Sequence, residues 1–334
     1  MELYLDSVNF KEIDAAMELG FITGLTTTPT FMHREGITDI DAAIKDLSKK
    51  VPILQIEALG NNAQIIVDEA HRLLDLGLDK TKTVFKIPVS LEGAKACKML
   101  RNEGLLVNLH LIYTLQQAYI AMAAGANYIC PLVGRLQDQG HDALSMVEQC
   151  VNATIRYGYQ SKIMFSSVRN SEHVRNAINI GVHACTMPWY VMKQLTRNDF
   201  TETGKGQFEK HTYLLTTKVK DVMKTENTML KYDTTIYDAL IVMTKSKLGA
   251  VIVLDKQNNL YRIFTDGDLR RYLHETENIS QKKFSDLESN TPITIEAAAS
   301  LFEASNIFSE KKIDNIIVVE DGKPVGIIDV QDVI

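Results

Sequence analysis

Up to about residue 195 the chain alternates between short, continuous apolar runs and longer stretches with apolar residues at three- and four-residue spacing. The apolar runs are "LYL" (3–5), "FITGLT" (21–26), "VPILQIEAL" (51–59), "TVFKIPV" (83–89), "LLVNLHLI" (105–112), "NYICPLV" (127–133), "KIMFSSV" (162–168) and "HACTMP" (183–188). Between them lie helical patterns such as "NAQIIVDEAHRLLDLGL" and "LEGAKACKMLRNEGL". Apolar strands alternating with helices predict a parallel sheet covered on its outer face. Eight strand–helix units predict an α/β fold of the closed (β/α)8 TIM-barrel type. An open doubly wound sheet is the alternative. It is disfavoured because no Gly-rich phosphate turn follows the first run.

The polar stretch "NDFTETGKGQFEKHTYLLTTK" (198–218) breaks the rhythm, and its two glycines predict a barrel tail plus linker. From about Val219 a different pattern occurs twice. The matching pieces are "GAVIVLDKQNNLYRIFTDGDL" and "NIIVVEDGKPVGIIDVQDV", each a strand, an acidic turn, a second strand and an Asp-containing helix start. A repeat of this kind predicts two α+β units packed as one module. The expected division is residues 1–215 and 216–334, the latter split into about 216–278 and 279–334.

Composition changes this picture little. The 334 residues are 45% hydrophobic and 23% charged, ordinary for a globular chain, with a net charge of −6. That balance argues against general nucleic-acid binding. No apolar run reaches the ~20 residues of a membrane span. The start "MELYLDSVNF" lacks the basic and apolar regions of a signal peptide. Cys97, Cys130, Cys150 and Cys185 have no CxxC spacing, so they read as reduced thiols of a cytoplasmic protein, with neither a zinc site nor a disulfide framework.

In a barrel, residues at the C-terminal ends of strands face the active-site mouth. Asp6, Thr26, Thr27, Thr28, Glu57, Lys86, Asn108, His110, Arg135, Ser167 and Arg169 all fall at that phase of successive units. Each has a structural reading as well. A lysine in an apolar strand snorkels or pairs, a buried glutamate pairs, and His110 is either a core histidine or an acid/base. Their shared phase favours chemistry. An amine in a dry pocket is partly neutral and nucleophilic, and it condenses with a ketone to a Schiff base. Asp6, Glu57 and His110 are the candidates for moving protons. Arg135, Ser167 and Arg169 have the character of a phosphate clamp. No metal-ligand spacing is present, and the chemistry needs no cofactor beyond the lysine.

The segments "YLDSVN", "GLTTTPTF", "FKIPVSLEGAKA", "VNLHLIYTLQQAYIAMAAGANYICPLVGRL" and "SSVRN" resemble, in order and spacing, the transaldolase family and its short branch that includes fructose-6-phosphate aldolase. The resemblance implies Lys86 as the Schiff-base lysine, Asp6 as an acid/base at a substrate hydroxyl and Glu57 as partner of the catalytic water. It also implies donor contacts from Asn108 and phosphate binding by Arg135, Ser167 and Arg169. The chain departs from the family where Thr28 replaces an asparagine and His110 a threonine. It departs again where Cys130 replaces a serine and Leu132 an aromatic. These changes cluster at the donor subsite and imply an altered donor with the imine chemistry retained. A degenerate barrel sensing phosphosugar and nucleotide is the alternative.

The C-terminal repeat resembles a tandem pair of cystathionine-β-synthase-type (CBS) domains, the first copy being similar to the pair attached to arabinose-5-phosphate isomerases. The resemblance implies ribose and phosphate contacts from Thr265, Asp266 and Asp268, and from Asp329 and Asp332 in the second copy. Arg262 stands where the first copy usually has glycine. The implied ligand is a regulatory adenine nucleotide or nucleotide-sugar. The expected protein is thus a Schiff-base aldolase or transaldolase acting on phosphorylated sugars, regulated by nucleotide and self-associating.

Overall fold

The structure, a computed structural model, describes all residues except 227, 276–278 and 334. The chain forms two units, Met1–Arg197 and Asn198–Ile334. In the first, eight parallel strands close into a barrel in sequence order. They are β1 (Glu2–Asp6), β2 (Gly24–Thr26), β3 (Leu54–Glu57), β4 (Thr83–Pro88), β5 (Leu106–Ile112), β6 (Tyr128–Pro131), β7 (Lys162–Phe165) and β8 (Ala184–Met187). Each lies within or beside one of the eight apolar runs. One row of side chains packs outward under the helices, as Leu5, Ile56, Phe85, Leu109 and Phe165 do.

The inward row changes character from bottom to top. Tyr4, Val84, Tyr128, Met164 and Ala184 fill the lower interior. The Tyr4 and Tyr128 hydroxyls meet at 2.9 Å, Tyr128 donates to Glu2 at 3.0 Å, and Lys162 pairs with Glu2. Gln55 and Asn108 lie in the interior above, and the C-terminal ends carry Asp6, Thr26, Glu57, Lys86 and His110. The packed floor supports a polar top, an arrangement that allows charged groups to sit in a barrel without flooding it.

The segment 198–218 differs from the expected linker. It forms an 18-residue helix, Asp199–Thr216, capped by Asn198, whose side chain accepts from Phe200 N at 2.9 Å and Thr201 N at 3.2 Å. Gly204 and Gly206 sit inside it without positive φ. Each costs about 1 kcal/mol against alanine, which the cap and tertiary packing offset. Leu214 buries among Leu301, Ala304 and Phe308 of the C-terminal repeat, so the helix belongs to the second unit. The division therefore falls at residue 197 rather than 215.

Each repeat has a parallel and an antiparallel strand pair. In the first copy β9 (Met229–Lys231) and β11 (Leu260–Thr265) flank β10 (Ala250–Leu254). In the second, β12 (Thr294–Glu296) and β14 (Lys323–Asp329) flank β13 (Asn315–Glu320). Ala250, Ile252, Ile317, Val319 and Ile327 form a core shared by the two sheets. The copies also interlock. Lys224, leading the first copy, exchanges backbone bonds of 2.8 and 3.0 Å with Ile327 of the second. The lead of the second copy donates from Ser285 N to Tyr232 O of the first at 2.7 Å.

Gly24 is where β2 must approach its neighbours. A Cβ there would lie 2.3 Å from Ile53 O and 2.9 Å from the Tyr4 ring. Gly24→Ala should lower the urea midpoint of the barrel transition by the equivalent of about 1–3 kcal/mol, the usual cost of overpacking. An unchanged midpoint would contradict this packing.

Candidate active site

Lys86 projects from β4 into the top of the barrel, in register with Glu57 on β3 and Asn108 on β5. Its Nζ lies 3.1 Å from Glu57 Oε1 and donates to the Thr27 carbonyl at 2.7 Å. Both side chains are about 6% exposed. On the other side of Glu57, His110 Nε2 comes within 2.9 Å of Oε2. That approach is too oblique for a directed hydrogen bond, and neither atom has another protein partner among the described residues. The lysine is therefore neither snorkelling nor isolated. It sits in a row of three titratable groups, Lys86–Glu57–His110.

Burial is the largest influence on Glu57 and pushes its carboxyl up, but the charge of Lys86 and the contact with His110 outweigh it. The carboxyl ends below its ordinary range and stays anionic. Burial holds the His110 imidazole below its usual value against the opposing pull of Glu57. It is thus neutral near pH 7. Asp6 keeps a solvent-facing edge at the cavity, yet burial raises its carboxyl, opposed by Lys86 and by a hydrogen bond from Thr26. Thr26 Oγ1 lies 2.8 Å from Asp6 Oδ1 and 2.5 Å from Thr186 Oγ1.

These groups open into a cavity of about 660 Å³, within the range of small-molecule sites. Thr28, Arg135, Ser167 and Arg169 line it too. Thr28 is the N-cap of the helix Pro29–Arg34 and accepts from Phe31 N at 3.3 Å. Threonine and asparagine both cap well, so the departure at this position keeps the structural duty. Gly134 lets the helix Val133–Asp138 abut the turn after β7. A Cβ there would sit 2.1 Å from Ser167 O. Ser167 itself has φ 59°, and Leu111, at an irregularity between His110 and Ile112 in β5, has φ 57°. Left-handed backbone at non-glycine residues is uncommon and concentrates at functional walls.

Arg135 reaches Tyr113 Oη at 3.4 Å, and Arg169 pairs with Asp138 at 2.7 Å. Cys130 lies in the wall, its thiol pushed up to about 11 chiefly by burial, which makes it unreactive.

Asn108 is not on the cavity wall. It is fully buried in the barrel interior, donating to Gln55 Oε1 at 2.7 Å, with its own Oδ1 unpartnered. It is the register partner of Lys86, and His110, two positions further along β5, reaches the cavity. Sequence reading missed Gln55, Thr186, Ser166 and Arg34. Thr186 and Ser166 stand on or just after strand ends at the phase used for the others, a signal available in "HACTMP" and "KIMFSSV".

In the C-terminal unit Thr265 and Asp268 come together at the start of the helix Asp266–Glu275. Asp268 Oδ2 accepts from Thr265 N and Oγ1, both at 2.9 Å. Asp266 lies against Gly249, whose φ is 61°. In the second copy Asp332 Oδ2 accepts from Asp329 N at 2.9 Å, and Asp329 accepts from Asn315 Nδ2 at 3.0 Å. Gly326 is required there because a Cβ would meet Lys224 O at 2.9 Å. The first copy replaces that backbone approach with the Asn290 side chain, which bonds Ile263 N and O, each at 3.2 Å. Room is thereby left for Arg262, buried against Phe264 and Tyr272 and donating to Glu288 O at 2.8 Å.

A closed parallel barrel with a buried lysine held by a carboxylate at its C-terminal mouth has the design of an aldolase-type enzyme. The family description "Transaldolase/Fructose-6-phosphate aldolase" matches residues 3–235, and "CBS domain" matches 219–275 and 284–334. A probable transaldolase of Coprothermobacter proteolyticus is 38% identical over 208 residues, covering 62% of this chain and 94% of that one. One from Geobacter sulfurreducens is 37% identical over 212 residues, covering 63% and 97%. A solved CBS domain protein from Pyrobaculum aerophilum, complexed with AMP, is 17% identical over 35% of this chain and 89% of that one, with a TM-score of 0.32. The chain belongs to the transaldolase/fructose-6-phosphate aldolase family and carries a tandem CBS pair after the barrel.

The depressed His110 imidazole has a thermodynamic consequence. The unfolded chain takes up this proton near pH 6.5, the folded chain only at lower pH. His110 therefore costs stability as pH falls through 6.5 toward the folded value. The Tm of the native protein minus that of His110→Gln should decrease between about pH 7.5 and 5.5; a flat difference in a calorimetric scan would contradict the assignment.

Proposed function

We propose that the barrel is a class I aldolase or transaldolase that makes or breaks a C–C bond in phosphorylated sugars through an imine on Lys86. The observation that carries this reading is the Lys86 amine at the barrel mouth, 3.1 Å from a buried carboxylate. Glu57 accepts a proton from the amine, which adds to the substrate ketone. The resulting hydroxyl leaves as water, protonated by Glu57 or by His110 acting with it. Asp6, oriented by Thr26, takes the proton of the hydroxyl next to the breaking bond. That bond's electron pair passes into the iminium, leaving an enamine on Lys86 and releasing an aldehyde. Protonation and hydrolysis of the enamine complete an aldolase cycle; attack on a second aldehyde completes a transaldolase cycle.

The phosphate is taken by Arg135, Ser167 and Arg169, two guanidinium groups and a hydroxyl on one side of the mouth. By its resemblance to the family His110 replaces a threonine that holds a proton-shuttling water, and here the imidazole moves the proton directly. With Thr28, Cys130 and Leu132 it reshapes the donor side. The CBS pair serves as a regulatory site for an adenine nucleotide or nucleotide-sugar, with Thr265 and Asp268 at the start of the helix Asp266–Glu275, an end that suits phosphate, and Asp329 and Asp332 at the corresponding turn of the second copy.

Incubation with fructose 6-phosphate followed by borohydride should leave a three-carbon adduct on Lys86, located by peptide mass spectrometry, and Lys86→Met should abolish it. Trapping that persists in the variant would remove the assignment. Phosphosugar binding with no adduct from any ketose would favour a sensor. For the CBS pair, AMP, ATP or a CMP-sugar should raise the Tm, by linkage about 2.7 kcal/mol of stabilisation at a hundredfold excess over Kd; no shift with any of them would remove the regulatory reading.

A further inference from the structure

The charges of the cavity are sorted by depth. Its acids, Asp6 and Glu57, lie at the floor with Lys86, whereas its other fully charged lining residues, Arg34, Arg135 and Arg169, are all exposed arginines. This concentration of positive charge occurs in a chain whose net charge is −6. A cationic mouth above a low-dielectric floor focuses anions.

The three arginines are not on one side. Arg135 belongs to the helix after β6, and Arg169 follows β7. Arg34 ends the helix Pro29–Arg34 after β2. In a closed barrel of eight strands in sequence order, β2 and β6 are four strands apart and therefore face each other across the mouth. Lys86, on β4, stands midway along the wall between them. Arg34 is exposed, and among the described residues no carboxylate lies within ion-pair distance of it. Its guanidinium is available to the cavity without first leaving a protein partner.

A ketone bound through its carbonyl carbon to Lys86 extends in two directions. One leads to Arg135 and Arg169, which take the phosphate of the sugar chain. Arg34 stands on the opposite side of the mouth, the side left to the other, short arm. For a neutral hydroxymethyl arm an unpaired guanidinium has no charge to meet. We propose that the donor half of the substrate is itself anionic, a three-carbon ketone bearing a phosphate or a carboxylate that Arg34 binds, so that the complete substrate carries a negative group at each end. This rests on the reading of Lys86 as the imine-forming lysine and names the substrate class for it.

The test uses the full-length protein and three ketones at equal concentration: neutral dihydroxyacetone, dihydroxyacetone phosphate and pyruvate. The readout is the rate of borohydride-trapped adduct on Lys86. At least one anionic ketone should be trapped faster than dihydroxyacetone, and the faster one tells a phosphate from a carboxylate. Arg34→Gln should lower the anionic-to-neutral ratio about tenfold, as expected for loss of one charge-assisted contact, and Arg34→Lys should restore part of it. If dihydroxyacetone is trapped as fast as both anions, or Arg34→Gln leaves the ratio unchanged, the anionic-donor proposal is overturned while the imine chemistry stands. If no ketone is trapped on Lys86, the imine reading falls and this proposal falls with it.

Discussion

The Glu57–Lys86 pair, inside a barrel that is otherwise closed by packed side chains, sets the terms for everything around it. Two opposite charges at 3.1 Å with about 6% exposure are costly to desolvate, and removing one partner of such a pair typically costs 3–5 kcal/mol. The pair is tolerable because its polar atoms have polar neighbours. The Thr27 carbonyl accepts from the amine, His110 abuts the carboxylate, and Asp6 lines the same cavity within the field of Lys86. The apolar and aromatic floor below keeps water from entering underneath.

That arrangement explains the local irregularities at the mouth. A side chain as large as His110 at the end of β5 is accompanied by the register break at Leu111 and its left-handed backbone. The turn after β7 likewise adopts positive φ at Ser167 and packs against Gly134, where no side chain fits. Strain of this sort persists where the surroundings over-determine it. Here it holds the hydroxyl of Ser167 and the guanidinium of Arg169 at the cavity. In the second unit the same economy appears as a contrast between copies. Gly326 permits a backbone approach that the first copy makes through Asn290, and Arg262 occupies the space thereby released.

Much of this was legible in the sequence. Eight apolar runs located eight strands, because parallel barrel strands are buried on both faces and leave unbroken hydrophobic signatures. Lys86 stood out for the same reason, as a charge that burial does not tolerate without purpose. The phase of Asp6, Glu57 and His110 at strand ends put them at the mouth, where the structure has them. Other features were hidden. The helix Asp199–Thr216 looked like a linker because two glycines and few apolar residues weaken the pattern, while its cap and its contact through Leu214 are tertiary facts. Asn108 was placed at the mouth by phase; its full burial and its bond to Gln55, a partner from another strand, are tertiary facts. Arg34 carries no local signal, since an arginine at a helix end is ordinary until the opposite wall is known.

The most direct measurement of the central claim is a crystal structure of the protein frozen after soaking with fructose 6-phosphate. The account predicts continuous density from Lys86 Nζ to the ketose C2, with Glu57 and His110 beside the new bond and the phosphate against Arg135, Ser167 and Arg169. A sugar held only by non-covalent contacts, with the Lys86–Glu57 pair intact beneath it, would contradict the account.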